Sequence, residues 1–144
     1  MSVSASLDIK LFGDKDFPPS ELLSVLGGYG WSFFYEGSAR YLPLGDDDDF
    51  DWKKDSVSED ELVAIVREKE SLGEQVGVVM VWDDSGIGGE FLFRSPGEVS
   101  FNLSINRKVD ECYITDVNWY VQKIVPAFIG AGFNVESLEF SQHM

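Results

Sequence analysis

Apolar and polar residues alternate at the start of the chain, where Val3, Ala5, Leu7, Ile9 and Leu11 are separated by Ser4, Ser6, Asp8 and Lys10. A period of two predicts a β-strand with one face buried. Asp16-Phe17-Pro18-Pro19 ends that pattern, and paired prolines suit the entrance of a helix, where a missing N–H is harmless. Leu22, Leu23, Val25 and Leu26 give this helix a short apolar stripe, stopped by Gly27 and Gly28. Residues 31–35 are aromatic and β-prone, and Glu36-Gly37-Ser38 forms a turn into a strand over 40–44.

After a polar stretch, Ser58-Glu59-Asp60-Glu61 fits a capping box, with Leu62, Ile65 and Val66 as the buried face of a helix that ends near Gly73. Val76–Trp82, 90–94 and 99–106 are apolar runs separated by Asp-Asp-Ser-Gly and Ser-Pro-Gly turns, which predicts a three-stranded antiparallel meander. Val79 and Val81, two residues apart, should share one face. Thr115 or Asp116 caps a last helix, expected to pack through Val121, Ile124, Val125 and Phe128 and to kink or stop at Pro126. Tyr120 is expected at the contact between this helix and the sheet. Val135, Leu138 and Phe140 mark a closing strand. The order βαββαβββαβ predicts an α+β fold, a single mainly antiparallel sheet with about three helices packed on it, in one domain over residues 1–144.

With 144 residues and 44% hydrophobic content, the chain can bury one core. Its 11 basic residues face 26 acidic ones, a net charge of −15. Phosphate backbones and anionic lipid surfaces repel such a chain, so neither direct nucleic-acid binding nor membrane attachment is expected. The single Cys112 excludes an internal disulfide and, with no signal-peptide pattern at the N-terminus, suits a cytoplasmic protein. As a lone cysteine, Cys112 is expected to be a small, quiet apolar residue.

Catalytic signatures are absent from the sequence. One His, His143, in a tail expected to fray, and one Cys cannot build a His/Cys metal site. Gly86-Ile87-Gly88-Gly89 lacks the following helix that a phosphate loop requires. Counted as an EF-hand from Asp47, the acidic run has Trp52 where glycine is needed and Ser58 where the bidentate glutamate belongs. No cofactor, no specific metal and no catalytic residue are therefore assigned, and the expected role is binding. The oligomeric state is left open by the sequence.

The feature that points to a partner is Asp46-Asp47-Asp48-Asp49-Phe50-Asp51-Trp52. Between Glu36 and Glu61, ten acids face three bases, which concentrates a net −7 in 26 residues. Clustered charge acts as one patch at a Debye length of about 8 Å and attracts basic surfaces. The competing assignment for the run is a solvated loop, and for Tyr41, Phe50 and Trp52 it is the core; any of the three left exposed becomes a candidate anchor.

The stretch Tyr41-Leu42-Pro43-Leu44-Gly45 through Asp46 to Trp52, and the ending from Asp116-Val117-Asn118-Trp119-Tyr120 to Glu139-Phe140, give the chain a cast that resembles bacterial immunity proteins of polymorphic or contact-dependent toxin systems. That resemblance implies a cytoplasmic, stoichiometric inhibitor that binds a cognate toxin domain and blocks its active site or substrate channel. The residues themselves point to a basic partner of nuclease type, whose phosphate groove an aspartate-rich loop can occupy, with Asp46, Asp47, Asp48, Asp49, Phe50, Asp51 and Trp52 as the partner-binding surface. Two other classes fit the residues: an acidic adaptor or nucleic-acid-mimicking regulator of a host enzyme, and a carboxylate-dependent hydrolase. The hydrolase would require a concave pocket containing a carboxyl of raised pKa.

Overall fold

The computed structural model describes residues 3–13, 18–34, 37–94 and 97–144. The expected features at Asp16-Phe17, at Tyr35-Glu36 and at Ser95-Pro96 lie outside them. Among the described residues, eight strands form one sheet: β1 (Ser4–Phe12), β2 (Trp31–Ser32), β3 (Ala39–Tyr41), β4 (Lys53–Asp55), β5 (Val76–Trp82), β6 (Gly88–Arg94), β7 (Glu98–Ile105) and β8 (Asn134–His143). Three helices accompany them: α1 (Pro19–Gly27), α2 (Glu59–Ser71) and α3 (Val117–Gly130). The spatial order is β4-β3-β5-β6-β7-β1-β8, with β2 pairing β5 beside β3. Every pairing between named strands is antiparallel. The fold is α+β on a single sheet.

All three helices contribute to one apolar cluster on one face of the sheet. Leu22 and Leu26 of α1, Leu62 and Val66 of α2, and Tyr120, Ile124 and Phe128 of α3 meet Leu7, Ile9, Val78, Met80, Phe91 and Phe101. Trp31 stands edge-on to Phe91 and Phe101, with ring centroids 5.2 and 5.4 Å away, and its indole N–H donates to the Lys123 carbonyl at 2.9 Å. A large aromatic is thereby buried without an orphaned donor.

Alternation along β1 places Ser6, Asp8 and Lys10 on the opposite, outer face. β5 is buried on both faces. Val79 and Val81 do share a face, but it is the outer one, while Val78 and Met80 enter the core cluster.

Several expectations change in detail. β4 was not foreseen; Lys53–Asp55 pairs with Ala39–Tyr41, which makes the order βαβββαβββαβ. The strand expected at 40–44 stops at Tyr41, ahead of Pro43, which has no N–H to offer a ladder. Helix α2 opens with the capping box: the Ser58 hydroxyl accepts from the Glu61 N–H at 3.1 Å, and the Glu61 carboxylate accepts from the Ser58 N–H.

Helix α3 is capped by the Asp116 carboxylate and runs through Pro126 to Gly130. Its buried face is Tyr120, Ile124, Ala127 and Phe128, with Val121 and Val125 only half-buried at its margin. The Tyr120 hydroxyl accepts from the Lys108 N–H at 2.9 Å, which fixes the helix rotation by its aromatic end. His143 does not fray: it pairs with Ser4 in the ladder between β1 and β8. Cys112 is exposed, in the segment between β7 and α3. No helix among the described residues is long and apolar enough to cross a membrane.

Candidate functional site

The acidic run joins β3 to β4 and is built around one of its own carboxylates. Asp46 is only 5% exposed. Its Oδ1 accepts from the backbone N–H groups of Asp49 and Phe50, both at 3.1 Å, and its Oδ2 accepts from that of Asp51 at 2.8 Å. Three charge-assisted bonds to one carboxylate wind the loop into a tight turn and compensate the burial of the charge. Asp46 is thus not part of the surface that the sequence assigned to a partner. The first aspartate of the run instead organises the others.

Below the loop lies Lys69, 1% exposed. Its Nζ donates to the carbonyls of Pro43 at 2.7 Å and Asp46 at 2.6 Å, and pairs with Glu74 Oε1 at 3.3 Å. The same Glu74 oxygen accepts from the Gly45 N–H at 2.8 Å. Asp47 reaches sideways, its Oδ1 accepting from the Gln75 N–H at 2.7 Å. Lys69, Glu74 and Gln75 were missed in the sequence. A signal existed for Lys69, since Leu62, Val66 and Lys69 fall on one helical stripe and a lysine there must find partners indoors.

Fastened at these points, the loop turns outward Asp48, Asp49, Phe50 and Asp51, with Asp47 exposed at its edge. Phe50 is 39% exposed and holds a left-handed backbone, φ 53°. That conformation costs a non-glycine residue about 1 kcal/mol and is maintained here by the Asp46 carboxylate. Trp52 is half-buried, against Gly77 of β5 and beside Leu42; a Cβ on Gly77 would come within 2.8 Å of its ring, so any larger residue there would force the Trp52 and Leu42 side chains to move. Tyr41 is in the core. Of the three aromatics flanking the run, Phe50 is the most exposed.

Among the described residues, concavities also lie elsewhere. A shallow polar depression of about 280 Å³ on the outer sheet face is lined by Asp8, Lys10, Arg94, Glu98 and Glu139. Another, of about 530 Å³, lies among α1, α2 and β2, with Leu23, Trp31, Phe33, Phe34 and Arg67 along it.

Burial pushes the Glu90 carboxyl above its ordinary value; a hydrogen bond with Asn102 and the nearby charge of Arg40 act in the opposite sense. Glu90 is not in the lining of either concavity. Among the described residues, no three His, Cys, Asp or Glu side chains converge on a point that could hold a metal ion.

Comparison of the chain with protein-family models, with curated proteins and with solved structures returned no match in any of the three.

Proposed function

We propose that this chain is a small binding protein, resident in the cytoplasm, that neutralises a basic toxin domain of nuclease type by occupying its substrate groove. The observation that carries this reading is the loop itself: four exposed carboxylates around an exposed Phe50, on a turn fixed from within by Asp46 and from below by Lys69. A pre-ordered loop loses little conformational entropy on docking, so more of the contact energy appears as affinity. Asp47, Asp48, Asp49 and Asp51 stand where the phosphates of a nucleic acid would approach the groove. Arginine and lysine side chains there would be met by charge-assisted bonds. Trp52 braces the loop from behind, and the protein acts by occlusion rather than turnover.

The test is calorimetric titration of the cognate basic domain with wild type and with D48N/D49N/D51N, at about 50 and 500 mM salt. Wild type should bind at 1:1 with affinity that falls with salt, and the variant should bind at least tenfold more weakly at low salt. Equal affinities would remove the loop from the interface.

A further inference from the structure

We propose that β8 pairs antiparallel with β8 of a second copy, so that two sheets join into one across a two-fold axis centred on Phe140. β8 is an outer strand of the sheet, ten residues long and bonded along one side to β1. A bulge at its start, where Lys10 faces Ser137 but Leu11 faces Val135, makes Glu136 the extra residue. Bulges blunt strand edges, so the regular run that remains open is Ser137 to His143. By contrast β4, at the other edge, has three residues, two of them lysines.

The occupant follows from the register. Across a two-fold axis, directly opposed residues share a face, so the axis passes through a residue. An axis on Glu139 would set two like carboxylates against each other at about 5 Å. An axis on Leu138 would draw the bulged Glu136 into the ladder. An axis on Phe140 uses the whole regular run: Ser137 faces the second copy's His143, Leu138 its Gln142, and Glu139 its Ser141. No like charges are directly opposed; Glu139 lies diagonal both to the other copy's His143 and, across the central pair, to its Glu139 at about 7–8 Å, and the two Phe140 rings meet at the centre. Moving the axis further along shortens the ladder.

Half-buried and exposed apolar residues collect along this same border. Lys123 lies over the Trp82 ring at 4.3 Å, which turns that flank of α3 toward β5. Val121, Val125 and Ile129, spaced by four, occupy the opposite flank, and Ile129 is 57% exposed. The segment between β7 and α3 is tied to the end of β8 by the Thr115 hydroxyl, which donates to Gln142 Oε1 at 2.7 Å. It presents Ile114 and a 74% exposed Tyr113. With Gln142 opposite the second copy's Leu138, this segment reaches over the other molecule's apolar flank. The aspartate loop, between β3 and β4 at the far edge, stays open in both copies.

Each copy carries a net charge of −15, so added salt should tighten self-association, opposite to its effect on a basic partner. Sedimentation equilibrium of wild type should give a two-chain mass, with an association constant at least tenfold higher at about 500 than at 50 mM salt. In a Cys112→Ser background, Phe140→Cys should oxidise to a covalent dimer, whereas Ser137→Cys, opposite His143 of the other copy, should not. A one-chain mass at all concentrations up to about 1 mM would overturn the proposal. So would cross-linking through position 137 in place of 140, or a two-chain mass without cross-linking at 140.

Discussion

Lys69 and Asp46 are 23 residues apart in sequence, yet the buried ammonium of one is 2.6 Å from the carbonyl oxygen of the other. The contact joins the last turn of α2 to the first aspartate of the run. Beyond this bond, Asp46 uses its carboxylate to hold the backbone of the next residues, so one small polar cluster shapes the whole loop.

Asp46→Asn should be the costly member of an asparagine scan. The amide keeps one acceptor oxygen but turns an NH2 group toward the Asp51 N–H, now held at 2.8 Å from Oδ2. A loss of about 1–3 kcal/mol in chemical denaturation is expected. Asp48→Asn and Asp49→Asn should each change stability by no more than about 0.5 kcal/mol.

Lys69→Met keeps the volume and removes the charge. Two carbonyls lose their donor and Glu74 loses its ion-pair partner, so destabilisation of about 3 kcal/mol is expected in urea unfolding. Amide exchange should quicken first at Gly45, whose N–H relies on the Glu74 oxygen. An unchanged midpoint would mean that water replaces the ammonium without cost.

Phe50→Gly separates strain from contact. Glycine adopts the φ of 53° freely, so the fold should be as stable as wild type or up to about 1 kcal/mol more stable. Binding to the proposed basic partner should nevertheless weaken by about 1–2 kcal/mol, through faster dissociation measured by surface plasmon resonance.

Glu90 gives a pH signature. Its native pKa lies above the ordinary value of 4.5, so the folded chain holds this proton more tightly than the unfolded chain. The stabilising contribution is complete below the ordinary value and is lost as pH rises through the raised native one. Glu90→Gln escapes that loss. Relative to wild type, it should gain stability between about pH 4 and pH 7, followed by denaturant midpoints across that range. A difference that is flat with pH would place the native carboxyl at its ordinary value.

Patterns that depend on neighbours in sequence were legible from the residues. The alternation in β1, the Ser58–Glu61 box, a cap at Thr115 or Asp116 and the three strands of the meander follow from local rules, because period and capping act within a few residues. The α+β class followed from the order of these elements. The site was legible only as a composition: the run of aspartates announced an acidic surface, and Phe50 was named among the candidates for its anchor.

What the sequence alone could not decide was which aspartate turns inward, since all four are chemically identical. That choice belongs to partners distant in the chain: Lys69 from α2, with Glu74 and Gln75 from the turn into β5. The β4 strand was missed for the same reason, because Lys53-Lys54-Asp55 has no strand pattern and exists only where β3 offers an edge. Helix α3 shows the same division. Its apolar positions fixed that it would be buried, while the bond between the Tyr120 hydroxyl and the Lys108 N–H set the rotation at which it packs. Local rules determine where backbone hydrogen bonds can close; only tertiary contacts determine which of several equivalent side chains is buried to complete them.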